Sequence, residues 1–228
     1  MNTQNNDAAA DLLIREVDEE LKQEQLQAVW KKHGSLLVSG AVALVLAVAG
    51  WQAWNAWDGK QRAKSGGEFS AAMQALQQGN REEAVTQLGK VAAEGSAGYQ
   101  VLADFKLADL KLASGDREGA IALFERVAAG RGDDVYRDLA RLKAGYLKLD
   151  GSDGDVSAAE ASVAPLAVEA SAWRHSAREI QALAALKRGD GARATDLFRK
   201  IADDPAAPQG VRARAAEMLA AAGSKAKG

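Results

Sequence analysis

The segment GDREGAIALFERV, residues 115–127, carries the pattern that decides the fold of this chain. Three further segments align with it: GNREEAVTQLGKV from Gly79, GDVSAAEASVAPL from Gly154 and GDGARATDLFRKI from Gly189. The starts of the four segments are 36, 39 and 35 residues apart. A period of this length with turn residues at fixed places is typical of proteins built from repeated supersecondary units.

Each segment begins with a turn signal between two helices. Its glycine can end the preceding helix in the left-handed conformation. An Asn or Asp follows, and such a side chain can cap the first turn of the next helix. The predicted caps are Asn80, Asp116, Asp155 and Asp190.

The second helix of each repeat has one apolar face. Apolar residues stand five, nine and twelve positions after the glycine, which places them on one side of a helix. The first of them is always alanine: Ala84, Ala120, Ala159 and Ala194. The second is larger: Leu88, Phe124, Val163 and Phe198. The third is aliphatic: Val91, Val127, Leu166 and Ile201.

A mostly small residue stands seven positions before each glycine, on the first helix of the repeat: Ala72, Ala108, Leu147 and Ala182. We therefore predict helix pairs in which a small residue of one helix accepts a large apolar residue of the other. Their period, turn and A-x-x-x-F spacing resemble the tetratricopeptide repeat.

The predicted repeat domain covers residues 68–222. Its third repeat is degenerate, with an insertion at residues 150–153 and Pro165 inside its second helix. Residues 209–222 are predicted to form a closing helix, and residues 223–228 a flexible tail. Stacked repeats bury a continuous core between neighbours and leave a concave face.

Upstream of the repeats, residues 34–57 read GSLLVSGAVALVLAVAGWQAWNAW and contain no charged residue. As a helix this run is about 36 Å long, enough for a hydrocarbon core of about 30 Å. Tryptophans stand at both ends of the run, where amphipathic rings prefer the headgroup layers. We predict a single transmembrane helix anchored by Leu36, Leu37, Val42, Leu44, Val45, Leu46, Trp51 and Trp54.

Other interpretations of this run are open. Ala47-Val48-Ala49 has the small-x-small form of a signal-peptide cleavage site, although about 33 polar residues precede the run, far more than a usual n-region. A buried core helix and an interfacial helix fit the absence of charge less well. Residues 58–67 are predicted to be a short linker that continues the helix for a turn or two and then bends.

The flanking charges do not decide which way the helix crosses the membrane. Residues 1–33 form a predicted acidic tail or helix; residues 1–30 hold seven acidic and two basic residues, a net charge of −5. Three Lys or Arg residues lie near each end of the run, so the positive-inside rule gives a tie.

Composition argues against catalysis and cofactor binding. The chain has no cysteine, which excludes disulfides, thiolate metal sites and cysteine nucleophiles. His33 and His175 have no metal-ligand spacing, and no phosphate-binding loop or nucleophile elbow is present. A net charge of −2 gives no general attraction for nucleic acid. We expect no enzyme, no catalytic, cofactor or metal site, and no small-molecule substrate.

Two groups of residues are candidates for partner contacts. A small-residue stripe on the apolar run can let another membrane helix pack closely; it consists of Ser39, Ala43, Ala47 and Gly50. The segment SAWRHSAREIQAL contains Trp173, Arg174 and Arg178, of types favoured in protein interfaces. The alternatives are a stripe that arises by chance in an alanine-rich helix, and a Trp173 that packs between repeats while the cations pair with nearby acids.

The order of acidic tail, single span and four degenerate tetratricopeptide-like repeats resembles the ancillary subunit family of the bacterial SecYEG translocon. The local likeness is carried by IREVDEELKQEQLQAVWKKHG, WRHSAREIQALAALKRGD and DDPAAPQGVRARAAEML, and is to the alphaproteobacterial branch. The resemblance implies an inner-membrane protein with a cytoplasmic N-terminus and a periplasmic repeat domain. It implies translocon subunits and a membrane-anchored periplasmic chaperone as partners, and no catalytic residues. An envelope-assembly or cell-division scaffold is the alternative function.

Overall fold

The computed structural model describes the backbone of residues 4–130, 132–150 and 155–225. Side chains are described between Trp30 and Ala222, apart from Leu37 and the residues missing from those ranges. Within this part of the chain every regular element is helical. The α-helices are α1 (Gln4–Gln77), α2 (Arg81–Glu94), α3 (Ala97–Ala113), α4 (Arg117–Ala129), α5 (Asp134–Leu149), α6 (Val156–Val163), α7 (Arg174–Lys187), α8 (Gly191–Ala202) and α9 (Gln209–Lys225).

The predicted all-α fold is confirmed, with a long apolar N-terminal helix followed by stacked helix pairs. From α2 onward each helix packs against the next along the chain, and α7 also contacts α5 and α9. The chain divides into two compact units, Met1–Lys60 and Gln61–Gly228. The last turns of α1 supply the first helix of the first repeat.

The glycine turns adopt the predicted conformation wherever the structure describes them. Gly79, Gly115 and Gly189 have φ of 82°, 82° and 80°. An L side chain is strained there, because its Cβ approaches the following carbonyl oxygen. Gly154, the fourth predicted turn glycine, lies outside the described residues.

Three of the four predicted N-caps form. The carboxylates of Asp116, Asp155 and Asp190 accept the amide N–H three residues ahead at 2.8, 2.8 and 3.0 Å. The prediction for Asn80 is wrong, since its side chain makes no capping hydrogen bond. Its neutral amide oxygen gains less than a carboxylate from the positive end of the helix dipole.

The predicted core positions of the second helices are buried in all four repeats. On the first helices, Ala72, Ala108 and Ala182 are fully buried, but Leu147 is only partly buried. The insertion before Gly154 shifts the register of the third repeat. Ala144 and Gly145 take the close-packed place, and a Cβ at Gly145 would lie 2.9 Å from Cγ1 of Val163.

The third repeat departs from the others at its second helix. We expected Pro165 inside that helix, but α6 ends at Val163 and a short 3-10 helix follows, Ala164–Leu166. Proline has no N–H to donate and its ring clashes with the preceding turn, so an α-helix cannot pass through it undisturbed. Residues 167–173 then form turns and bends before α7 begins.

Two boundaries differ from the sequence-based expectation. Residues 58–67 are helical throughout as part of α1, where we expected the helix to continue for only a turn or two. The closing helix extends to Lys225, so the tail predicted from Gly223 begins as helix. Residues 226–228 lie outside the described part.

Arginines link successive repeats by a contact that the repeat pattern does not reveal. The Arg81 guanidinium donates to the carbonyl oxygen of Leu110 in α3, and the Arg117 guanidinium donates to that of Asp150 after α5. The helix dipole makes the C-terminal end of a helix negative, which favours a guanidinium there. Each arginine therefore ties the start of one second helix to the end of the next first helix.

Candidate functional site

One helix among the described residues is long and apolar enough to cross a membrane. It is the Trp30–Gln77 part of α1, whose most apolar window has a mean hydropathy of 2.0 and is 6% buried. By length and composition it can be a single membrane anchor or a signal sequence. The predicted anchor residues with described side chains are all exposed; the side chain of Leu37 lies outside them. An exposed apolar surface of this extent in a soluble protein is unusual and marks an interaction with membrane or protein.

The small-residue stripe on this helix is open. Ser39, Ala43, Ala47 and Gly50 are all exposed, and a Cβ placed on Gly50 would meet no atom within 4 Å. The Ser39 hydroxyl donates to the carbonyl oxygen of Leu36 at 3.0 Å, so its polar group has a partner inside the helix. The stripe thus leaves room for another helix, and its use as a contact stays a prediction.

Trp173 and its neighbouring arginines have partners within the repeat domain. Trp173 is the N-cap residue of α7, and its partly buried ring packs against the core of the third repeat. Arg174 lies 3.8 Å from a carboxylate oxygen of Glu169 and 3.5 Å from one of Asp204. Arg178 also pairs with Glu169. A contact of these residues with another protein stays a prediction.

His175 joins the start of α7 to the loop before α9. Its ring is buried, and Nε2 lies 2.7 Å from Oδ2 of Asp204. Asp204 also accepts the backbone N–H of Ala206 at 2.8 Å. These two hydrogen bonds hold the pKa of the Asp204 carboxyl below its usual value, because both stabilise the carboxylate. The partners are 29 positions apart in the sequence, so no local sequence pattern reveals this pair.

A second polar cluster lies between α5, α7 and α9. The buried carboxylate of Glu179 accepts the Tyr146 hydroxyl at 2.7 Å and two N–H groups of Arg214 at 2.6 and 2.7 Å. Burial, and then the bond to Glu179, raise the pKa of Tyr146. The bond to Glu179 likewise raises the pKa of Arg214. Both oxygens of the Glu179 carboxylate therefore accept hydrogen bonds, and the cluster links α5, α7 and α9.

Two recesses lie between neighbouring helices of the repeats. One, of about 190 Å³, lies beside α3 and α4 and is lined in part by Asp104 and Arg126, which are paired with each other. The other, of about 530 Å³, lies between α5 and α7 and is lined mainly by leucines, with Asp150 and Lys187 also on its wall. Its mixed charge gives no preference for an acidic or a basic partner.

A third recess, of about 500 Å³, lies where the start of α5 meets the chain between α6 and α7. We call it the third-connection recess and define it by Val135, Arg137, Pro165, Val168 and Trp173, which line it together with neighbouring residues. Of the predicted partner-contact residues of the repeat domain, Trp173 lines this recess, whereas Arg174 and Arg178 do not.

No group of His, Cys, Asp or Glu residues in the described part of the chain is arranged to hold a metal ion. The recesses are lined by charged and apolar side chains.

Comparison with known proteins identifies the family. The pattern of the tetratricopeptide repeat-like domain matches residues 27–204, which is most of the chain. No curated protein and no solved structure matches. The match agrees with the glycine turns, the buried alanines and the stacked helix pairs described above. The chain belongs to the tetratricopeptide repeat-like domain family.

Proposed function

We propose that this protein is a membrane-anchored scaffold that binds the protein-translocation channel and periplasmic chaperones to assist exported proteins. The domain family supports the coarser part of this statement, because tetratricopeptide-like repeats are built for protein–protein interaction. The finer part, the identity of the partners, is supported by the resemblance to the translocon ancillary subunit.

The observation that carries the proposal is the combination of an exposed apolar helix with a repeat domain in one chain. The family match begins at residue 27, ahead of the apolar run, so the matched pattern includes that run as well as the repeats. This favours a helix that stays attached to the domain over a signal sequence that is removed. We take residues 34–57 as the span and residues 68–222 as the repeat domain.

Orientation also belongs to the proposal. The resemblance supports an inner-membrane protein with a cytoplasmic N-terminus and periplasmic repeats. A reporter fused after Gly228 tests it: an enzyme active only in the periplasm should be active there, and one active only in the cytoplasm should not. The reverse result contradicts the proposed orientation.

The proposed mechanism is capture by two tethered contacts. The small-residue stripe of the span offers one surface within the membrane, and the recesses of the repeat domain offer another outside it. Linking two weak contacts in one chain raises the effective concentration for the second, so each can be weak by itself. No catalytic role is proposed.

Crosslinking in native membranes tests this mechanism. The full chain should yield a translocon subunit and an envelope chaperone. Deleting residues 61–228 should abolish chaperone capture, whereas exchanging residues 34–57 for an unrelated span should mainly weaken translocon capture. Recovery of cell-division or envelope-assembly proteins instead would favour that alternative. If neither change alters any crosslink, the two-contact mechanism is wrong.

A further inference from the structure

The fourth repeat buries a charge where the first two repeats place an aromatic ring. The residue ten positions before the turn glycine is Phe69 in the first repeat, Phe105 in the second and Glu179 in the fourth. Each phenylalanine contacts a tyrosine of the next first helix, with ring centroids 5.9 and 6.3 Å apart. Glu179 instead accepts two N–H groups of Arg214 on α9, at 2.6 and 2.7 Å. The contact between the fourth repeat and α9 therefore contains an ion pair in place of packed rings.

This ion pair determines which kind of helix fits the fourth repeat more than how firmly it is held. The side chain of Glu179 is 5% exposed, and that of Arg214 is 55% exposed. The cost of taking charges out of water opposes their attraction, so a buried ion pair is often no more stabilising than apolar side chains of similar volume. A helix without a cation at this place would leave the buried carboxylate unpaired, which is strongly unfavourable. The two parallel hydrogen bonds suit the planar guanidinium of arginine.

The sequence of α9 makes it a weak helix by itself. Its first turn has no acidic residue, and Arg212 and Arg214 lie in its first two turns, where the helix dipole disfavours cations. Gly210 lowers the helix propensity, although a Cβ there would meet only Nη1 of Arg214, at 3.7 Å. Of the described side chains of α9, only Val211 and Ala215 are buried, whereas α7 buries seven. α9 therefore depends on its docking to the fourth repeat.

The docked α9 covers an apolar face of the fourth repeat. This face is formed by side chains of α7 and α8, namely Ala182, Ala185, Ala194, Phe198 and Ile201. The matched family pattern ends at residue 204, so α9 lies outside it. When α9 leaves, the face is open to solvent, and such a surface can receive the apolar side of another helix.

We propose that α9 is a releasable lid, and that a partner helix with an arginine in the place of Arg214 binds the face that α9 uncovers. The docked α9 shows the chemistry of that helix: apolar residues four positions apart, as in Val211 and Ala215, with an arginine between them. The closed lid lowers the apparent affinity for the partner by the fraction of molecules that are open. This inference rests on the proposed scaffold function and adds a regulated docking face to it.

Binding of labelled peptides to purified full-length protein in detergent micelles tests the lid. One peptide has the sequence of α9, residues 209–225, and a second has alanine in the place of Arg214. A scrambled peptide of the same composition controls for binding to the micelle. We expect the α9 peptide to bind, and the alanine peptide to bind about tenfold more weakly because Glu179 is then left without its guanidinium. Hydrogen exchange should be faster for the amides of α9 than for those of α7 and α8.

A variant of the protein itself separates a lid from a merely structural contact. Arg214→Ala weakens the docking of α9 without changing the face below it, so more molecules are open. Its affinity for the α9 peptide should therefore rise about tenfold. A purely structural ion pair would lower the melting temperature without raising this affinity. Arg199→Ala, at an exposed cation on α8, is the matched control and should bind the peptide like the wild type.

The proposal fails if neither the wild type nor the Arg214→Ala protein binds the α9 peptide while both stay folded. It also fails if the alanine or the scrambled peptide binds equally well, or if the amides of α9 exchange as slowly as those of α7. Peptide binding as expected, without any translocon or chaperone crosslink in native membranes, would contradict the scaffold function alone. Those crosslinks without peptide binding would contradict the lid alone.

Discussion

At the scale of single residues, an aromatic side chain fills the core of the second repeat, nine positions after the turn glycine. The ring of Phe124 is fully buried, with its centroid 5.4 Å from that of Phe105, and the Lys143 ammonium lies 5.3 Å from its centre. Edge-to-face ring pairs and cation–π contacts add to what burial alone contributes. Leu88, Val163 and Phe198 fill the same position in the other repeats.

Phe124→Ala should lower the free energy of unfolding by about 3–5 kcal/mol, because the cavity removes both burial and packing. Urea unfolding of a fragment covering residues 61–228 is the measurement. Tyr136→Ala is the control, since that side chain is 41% exposed, and its effect should be much smaller. Equal unfolding midpoints for wild type and Phe124→Ala would refute the packing assignment.

The His175–Asp204 pair should give a stability contribution that acid removes. The folded-state pKa of Asp204 is lowered, so the carboxylate stabilises the fold above the pKa of the unfolded chain, about 4. This contribution is lost as pH falls through the lowered folded-state pKa. The melting temperature of Asp204→Asn should therefore lie below that of the wild type at about pH 6 and approach it at about pH 2. Asp196→Asn, at an exposed carboxyl on α8, is the control and should differ little at either pH. A constant difference between Asp204→Asn and wild type would contradict the assignment.

At the scale of helices and turns, two glycines have different backbone torsions. Substituting each of them measures the effect of turn geometry and the effect of helix propensity separately. Gly115 ends α3 in the left-handed region, while Gly89 lies inside α2 with open space around it. Alanine costs energy in the first conformation and is preferred over glycine in the second.

Gly115→Ala should therefore destabilise residues 61–228 by about 1–2 kcal/mol. Gly89→Ala should stabilise them by about 0.5–1 kcal/mol. Thermal and urea unfolding of both variants is the measurement, and each serves as the control for the other. Changes of the same sign would show that the turn conformation is not as described.

The contact of α9 with α7 depends partly on a buried carboxylate. Arg214→Met leaves Glu179 with the Tyr146 hydroxyl but without its two guanidinium bonds. An incompletely paired buried group should cost about 1–3 kcal/mol. Adding Glu179→Gln should recover part of the loss, because the uncompensated charge is then gone. A double-mutant cycle from urea unfolding measures this coupling, and purely additive effects would exclude it.

At the scale of the whole molecule, we expect the apolar run to hold the chain at a membrane. The repeat domain does not need this run in order to fold. Residues 34–57 contain no charged residue. Their leucines, valines and tryptophans with described side chains are exposed. The compact unit Gln61–Gly228 has its own buried core. We therefore expect the fragment 61–228 to be soluble and the full chain to remain with membranes.

Val45→Arg should move the full chain out of the carbonate-resistant membrane fraction. An arginine at the centre of a span costs about 2.5–3.5 kcal/mol on the insertion scale. Val85→Arg, on the exposed side of α2, is the matched control and should stay with the membrane.

Mass spectrometry of the wild-type protein from membranes should find the N-terminal segment intact. A mature N-terminus at Gly50 would identify a cleaved signal instead.

The sequence alone determined the all-α class, the turn glycines, the alanine and large-residue positions of the second helices, and the apolar run. These depend on local propensity and on a fixed period, which are read along the chain. The sequence shows Pro165, but its consequence for α6 and the register shift to Ala144 and Gly145 depend on how the fold accommodates the inserted residues. Only the tertiary structure paired His175 with Asp204 and Glu179 with Arg214, and placed Val135 and Val168 on the walls of one recess. Such contacts join residues far apart in the chain, so their formation depends on how whole helices pack and on no pattern within any one of them.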